Sequence, residues 1–280
     1  MKLKFIKMHG CGNDYIYIDY MKKSLDFSLK DTAVKLSDRH FGVGGDGLVL
    51  IVPSNKADAF MRMFNADGTE GKMCGNAIRC VAKYLYEDLE IKKTIMSIET
   101  LSGIKTLKLN VENDVVKTVE VNMGLANFNS SEIPLNTNEE EIVNMPIYVS
   151  DKEFKITAVS MGNPHCVVFL DDVAKLDVNK LGAEFLKNPL FKEEVNVEFV
   201  EMLTKKEVLM RVYERGSKET LACGTGACAV VSAMVKNSFC GLDDEVLIKL
   251  LGGNLEVRCS SDGVLMKGPA EKVFVGEVEV

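Results

Sequence analysis

The sequence predicts an α+β protein made of two pseudo-symmetric α/β domains that share a cleft. Three observations carry this: a self-similarity at an offset near half the chain, many short β-prone runs with few helical ones, and a Cys-Gly pair ahead of a helix in each half. At 280 residues the chain is long enough for one large domain or two of roughly 140 residues.

Residues 4–20 read as strand, tight Gly-rich turn and strand, because FIKMHG and YIYIDY flank CGND. A short helix is expected over 32–40, a compact apolar strand over 48–52 and another over 60–64. Ile78, Val81, Ala82 and Leu85 have helical spacing and place a helix over 77–86. Three β-prone runs follow, 94–99, 105–111 and 115–121, separated by Ser102-Gly103 and Asn113-Asp114. The polar stretch 127–138 reads as a linker. The second half repeats the order. Strands are expected over 154–161, 166–170, 195–201 and 207–213, helices over 176–185 and 227–235, and short strands at the end.

The repeat is tested by aligning the halves. At an offset of 149, residues 60–77 lie over 209–226 without a gap, and five of the eighteen positions are identical. Met61 meets Met210, Arg62 meets Arg211, Glu70 meets Glu219, and Cys74-Gly75 meets Cys223-Gly224. At an offset of 150, Gly12-Asn13 lies over Gly162-Asn163. Two blocks at nearly one offset indicate a duplicated half.

Composition narrows the function classes. The formal charge of −7 argues against nucleic acid or an anionic membrane as the main partner. No apolar run approaches the ~20 residues of a membrane helix, and the first residues lack the apolar core of a signal peptide. A cytoplasmic protein is expected, with eight cysteines as thiols. With three histidines and no C-x-x-C, a structural metal is not expected, and no cofactor motif is present.

Both Cys74 and Cys223 precede a helix. Unpaired N–H groups and partial positive charge at a helix start favour a thiolate, which should draw the thiol pKa towards neutrality, and they can also cradle a carboxylate. Two equivalent thiols facing one carbon suit one reaction. Inversion of a stereocentre needs a base on one face and an acid on the other, with the roles exchanged in reverse. The α-hydrogen is weakly acidic, so the helix ends would have to stabilise charge on the substrate carboxylate in a water-poor site.

The motifs MHGCGNDY (8–15), FNADGTEGKMCGNAIRC (64–80), MGNPH (161–165) and YERGSKETLACGTGA (213–227) together resemble the diaminopimelate epimerase family. They span nearly the whole chain in the family's order. The resemblance implies halves 1–123 and 124–268, with a final strand, 269–280, returning to the first. It implies cofactor-independent interconversion of LL- and meso-diaminopimelate, for lysine and peptidoglycan-precursor synthesis, in a homodimer. By motif, Cys74 and Cys223 become the acid–base pair. Gly75, Asn76, Gly224 and Thr225 would hold the carboxylate at the reacting centre. Asn65, Asn163, Asn196, Glu214 and Arg215 would hold the far amino-acid end, with Asn13 lining the site. Arg215 suits a carboxylate and Glu214 an ammonium. His165 and Glu214 would assist proton traffic. Two positions depart from the family pattern: Gly47, where many members have Gln, and Lys218, where many have Gly.

Plainer readings stand beside these. Cys11, Cys80, Cys166, Cys228, Cys240 and Cys259 lack a matched partner and read as core or incidental. Arg62 and Arg211 read as structural ion pairs with Glu70 and Glu219. His9 reads as a turn or core histidine, Asn163 before Pro164 as a turn former, and Lys218 as solvent-facing. The Gly-rich run 42–47 lacks the lysine and hydroxyl of a phosphate loop. The competing functions are a racemase of another amino acid, a thiol redox protein and a non-catalytic amino-acid binder.

Overall fold

The computed structural model describes residues 2–21 and 28–279. The chain forms two compact units, Met1–Asn122 with Lys267–Val280, and Met123–Met266.

The first unit opens with the hairpin β1 (Lys2–Gly10) and β2 (Asn13–Asp19), closed by a Gly10–Asn13 pair. Its two turn residues, Cys11 and Gly12, both have positive φ, 53° and 80°, which matches the right-handed twist of the flanking strands. His9 Nδ1 accepts from the Gly12 amide, so this histidine belongs to the turn. Helix α1 (Leu29–Ser37) leads to β3 (Gly47–Val52), which runs parallel to β2. Then come β4 (Ala59–Asn65), β5 (Glu70–Gly71), helix α2 (Gly75–Glu87), β6 (Ile95–Thr100), β7 (Gly103–Glu112) and β8 (Val115–Asn122). Helix α1 starts and stops earlier than its apolar spacing indicates. Ser28 caps its first turn, and the Asp38 carboxylate takes the amides of His40 and Phe41, diverting the chain out of the helix. Residues Gly75 to Tyr86 of α2 are all buried, because β1, β2, β6, β7 and β8 pack around the helix. A second core joins α1 to the sheet through Ala33, Leu36, Leu48, Leu50, Ile16 and Phe64.

The second unit begins with β9 (Met145–Val149), β10 (Lys152–Ser160) and β11 (Pro164–Phe169). Helix α3 (Val178–Phe185), β12 (Asn196–Thr204), β13 (Glu207–Glu214), β14 (Lys218–Thr220), helix α4 (Gly224–Lys236), β15 (Glu245–Leu250), β16 (Gly253–Ser260) and β17 (Gly263–Gly268) follow. Helix α4 packs on β10, β11, β12 and β16 as α2 packs on its own strands. The expected linker over 127–138 is instead part of this unit. Ile133 and Leu135 are buried in its core, and bridges join Asn127 to Ser160 and Leu135 to Phe191. Two apolar side chains two residues apart anchor a stretch whose composition is otherwise polar.

The final strand, β18 (Glu271–Glu279), pairs antiparallel with β1. The two units then have the same ladder. The pairs β1/β2 and β10/β11 are antiparallel, β2/β3 and β11/β12 parallel, and β3/β4 and β12/β13 antiparallel. Likewise β4/β6 and β13/β15 are parallel across the crossovers that contain α2 and α4. The duplication read at offset 149 is thus a duplication of topology. On the outer edge the second unit uses its own β9 beside β10, and the first uses β18 beside β1.

Candidate functional site

Each cysteine of interest is the N-cap of its unit's buried helix. Cys74 has extended backbone (φ −136°, ψ 121°), and its Sγ accepts from the Ala77 amide at 3.5 Å. Cys223 has φ −118° and ψ 111°, and its Sγ accepts from the Gly226 amide at 3.3 Å. Sulfur thus takes the capping position usually held by a serine or aspartate oxygen. The strand–turn–strand before each helix is braced by one repeated ion pair. Arg62 Nε meets Glu70 Oε1 at 2.7 Å, and Arg211 Nε meets Glu219 Oε1 at 2.7 Å. These are the structural pairs expected from the repeat.

In the first unit, Cys74 Sγ donates to Asn13 Oδ1 at 3.4 Å, so the hairpin turn and the helix start meet at the thiol. Asn13 Nδ2 donates to Asp46 Oδ2 at 2.7 Å. Asn76 is buried, and its Oδ1 accepts from Arg79 at 2.9 Å. Arg79 is fully buried and also donates to Gly75 O and Pro269 O. Asn65 ends β4, where its Nδ2 donates to Thr69 Oγ1 at 3.0 Å, and its side chain is exposed.

In the second unit, Cys223 Sγ lies 3.5 Å from Thr225 Oγ1, which accepts from Asn163 Nδ2 at 3.2 Å. Asn163 Oδ1 is 3.1 Å from His165 Nε2, and His165 Nδ1 is 2.7 Å from Glu198 Oε1. Both members of the His165–Glu198 pair are fully buried, and Glu198 Oε2 has no hydrogen-bond partner. Asn196 is buried, with its Oδ1 accepting from the Arg215 amide at 3.1 Å. Glu214 accepts from the Thr220 hydroxyl, and Arg215 is exposed. Lys218 faces solvent with φ 63°.

The electrostatics depart from the simple helix-end expectation at Cys223. Burial raises its pKa well above the ordinary thiol value, and the Glu214 and Glu198 carboxylates add to this. Hydrogen bonds from Thr225 and the Gly226 amide oppose the rise without overcoming it. Burial thus favours the protonated thiol at Cys223. Among the other buried cysteines, Cys11, Cys80, Cys166 and Cys259 are raised first by desolvation as well.

Sequence reading missed Asp46, Arg79 and Glu198. Glu198 and Arg79 had a signal. Each is a charged residue inside an apolar run, VNVEFV and NAIRCVA, and each breaks the repeat, with Val49 and Cys228 at the matching positions. Gly47 begins β3, and a Cβ there would lie 2.0 Å from Phe64 O, so a glutamine has no space on this backbone. No group of three or more metal-ligating side chains occurs among the described residues.

The duplicated fold is shared with solved structures described as an epimerase, a racemase and phenazine biosynthesis proteins. A phenazine biosynthesis protein of the PhzF family from Bacillus anthracis superposes with a TM-score of 0.74 at 17% identity, covering 100% of both chains. A hydroxyproline epimerase from Agrobacterium vitis gives 0.71 at 14% identity, covering 99% of this chain and 92% of that one. These likenesses define the fold alone. Within it, the chain belongs to the diaminopimelate epimerase family, whose family model matches residues 5–129 and 157–273. The diaminopimelate epimerase of Acetivibrio thermocellus is 47% identical over 280 residues, with 99% of each chain covered.

Proposed function

We propose that this chain interconverts LL- and meso-diaminopimelate by a two-thiol mechanism, in which Cys74 and Cys223 act on opposite faces of one α-carbon. The observation that carries this is the equivalence of the two cysteines: each caps the buried helix of a repeated unit, in a chain of the diaminopimelate epimerase family. One sulfur, as thiolate, takes the α-proton while the other, as thiol, delivers its own to the opposite face. The configuration inverts, and the two sulfurs exchange charge states. The first-turn amides of α2 and α4, at Gly75-Asn76 and Gly224-Thr225, bind the adjacent carboxylate and stabilise the charge that builds on it. Asn13, Asn65, Asn163, Asn196, Glu214 and Arg215 hold the rest of the substrate, with Arg215 on the distal carboxylate and Glu214 on an ammonium. The buried His165–Glu198 pair fixes Asn163 beside Thr225 and so keeps the Cys223 side of the site in register.

The reading includes a role in lysine and peptidoglycan-precursor synthesis, a cytoplasmic location and a homodimer. No described helix is long and apolar enough to cross a membrane. Light scattering of the purified chain at twice the monomer mass supports the dimer, and the monomer mass removes it. The test of the chemistry is a Cys74→Ser variant with retained circular dichroism. Loss of about 10²–10⁴-fold in rate in both directions is expected for removal of an acid–base group. Retained turnover would mean that a different residue moves the proton.

A further inference from the structure

We infer that Asp46 is a positioning residue for Cys74, acting through the side-chain amide of Asn13. This deepens the two-thiol reading and rests on it. An asparagine amide can present either its oxygen or its NH₂ to a neighbour, and rotation by half a turn exchanges them. At Asn13 the choice is made by Asp46. Its Oδ2, a pure acceptor, takes Asn13 Nδ2 at 2.7 Å and the Asp14 amide at 3.1 Å. The NH₂ is thereby committed to the carboxylate, and the oxygen is turned towards Cys74 Sγ, 3.4 Å away. A fixed oxygen at that point accepts from the thiol and from a substrate ammonium. A flipped amide would repel the ammonium.

The carboxylate is itself held. Its main-chain amide donates to Asp14 O at 2.7 Å, and its Oδ1 takes Arg39 Nη2 at 2.9 Å. Arg39 also bridges to Asp14 at 2.7 Å, and the buried Lys7 reaches Asp14 Oδ2 at 2.5 Å while donating to Gly44 O. Arg39, Asp46 and Asn13 thus run in one bonded series to the thiol, with Asp14 and the buried Lys7 bracing Arg39 from behind. The second unit solves the same problem with different groups. Asn163, matched to Asn13 at offset 150, has its amide engaged at both ends, by His165 on its oxygen and Thr225 on its nitrogen. Each unit thus pins an asparagine amide near its helix start, directly on Cys74 in the first and on Thr225, the neighbour of Cys223, in the second.

The prediction separates geometry from charge. Asp46→Asn keeps an acceptor oxygen towards Asn13 and loses the charge and the Arg39 bond, because its NH₂ replaces the other oxygen. Asp46→Glu keeps the charge and moves the oxygen by one methylene. If Asp46 positions the amide, Asp46→Glu loses about tenfold or more in kcat/KM, chiefly through KM, with melting temperature unchanged. Asp46→Asn stays within about threefold of the wild type. The second readout needs no turnover. Iodoacetamide labelling of Cys74 at neutral pH, read against a free-thiol reference peptide in the same tube, changes by about threefold or more in Asp46→Glu and not in Asp46→Asn. Wild-type behaviour of Asp46→Glu in both readouts, or equal damage in the two variants, overturns the assignment. A wild-type chain that fails to epimerise removes the two-thiol reading instead, and the labelling ratio then still decides the role of Asp46.

Discussion

Three side chains carry much of what can be tested one at a time. Arg79 is a fully buried cation inside a helix, satisfied by Gly75 O, Asn76 Oδ1 and Pro269 O. Arg79→Met keeps the length and removes the donors, leaving buried acceptors unpaired. It should cost about 2–4 kcal/mol, seen as a lower urea midpoint of the first unit. An unchanged midpoint would mean that water replaces the guanidinium. At Gly47, any side chain meets the Phe64 carbonyl within 2.0 Å. Gly47→Gln should therefore destabilise by about 1–3 kcal/mol through a backbone shift in β3. Asp14 supplies the pH dependence. Burial alone would raise its pKa, but hydrogen bonds from Arg39 and Lys7 hold it below the ordinary 3.8. A depressed folded value contributes stability above the unfolded pKa, and this is lost as the pH falls through the folded value. Asp14→Asn should be less stable than wild type at neutral pH, with the gap closing below about pH 4, as measured by urea midpoints across that range.

At the scale of elements, the repeated ion pair offers an internal comparison. Arg62 and Arg211 occupy matched positions, yet Arg211 also donates to the carbonyls of Val173, Ala174 and Leu176. Arg62→Met should cost no more than about 1 kcal/mol, as partly exposed pairs do, and Arg211→Met about 2–3 kcal/mol. Thermal melting of the two variants side by side checks the order. The same comparison explains what was readable in the sequence. Helices α2 and α4 and the strands before them were legible because apolar period and repeat agreed. The two-residue strand β5 was missed because it has no periodicity of its own and exists only by pairing with β4. Strand β9, MPIYV, was missed because its proline and its exposed tyrosine hide the alternation, and its partner β10 decides it. The end of α1 was misplaced because hydrogen bonds from the His40 and Phe41 amides to the Asp38 carboxylate, invisible to periodicity, end it. In the site, the cysteines were legible from symmetry, whereas Asp46 lies 28 residues before Cys74 and reaches it only through Asn13.

Across the whole molecule, the duplication assigns β18 a specific duty. The second unit finds its edge strand, β9, in the segment just before β10, and the first has only the end of the chain to supply one. Arg79 fastens that returning segment at Pro269 before β18 begins. Ending the chain after Ala270 should strip amide-exchange protection from β1 and β2 while β10–β13 keep theirs. Loss of protection in both units would show that the second depends on the strand as well. The same duplication fits the proposed chemistry: each unit presents one cysteine-capped helix, and the mechanism assigns one proton-transfer group to each.

The most direct test is epimerisation of LL-diaminopimelate in deuterated water, with the α-positions read by mass spectrometry during the first few per cent of reaction. Two thiols working from opposite sides predict meso product carrying one solvent deuterium while the remaining LL compound is still almost entirely protium. Product without deuterium, or label entering both pools at the same early rate, would mean that a single group removes and returns the proton and that the pairing of Cys74 with Cys223 is wrong.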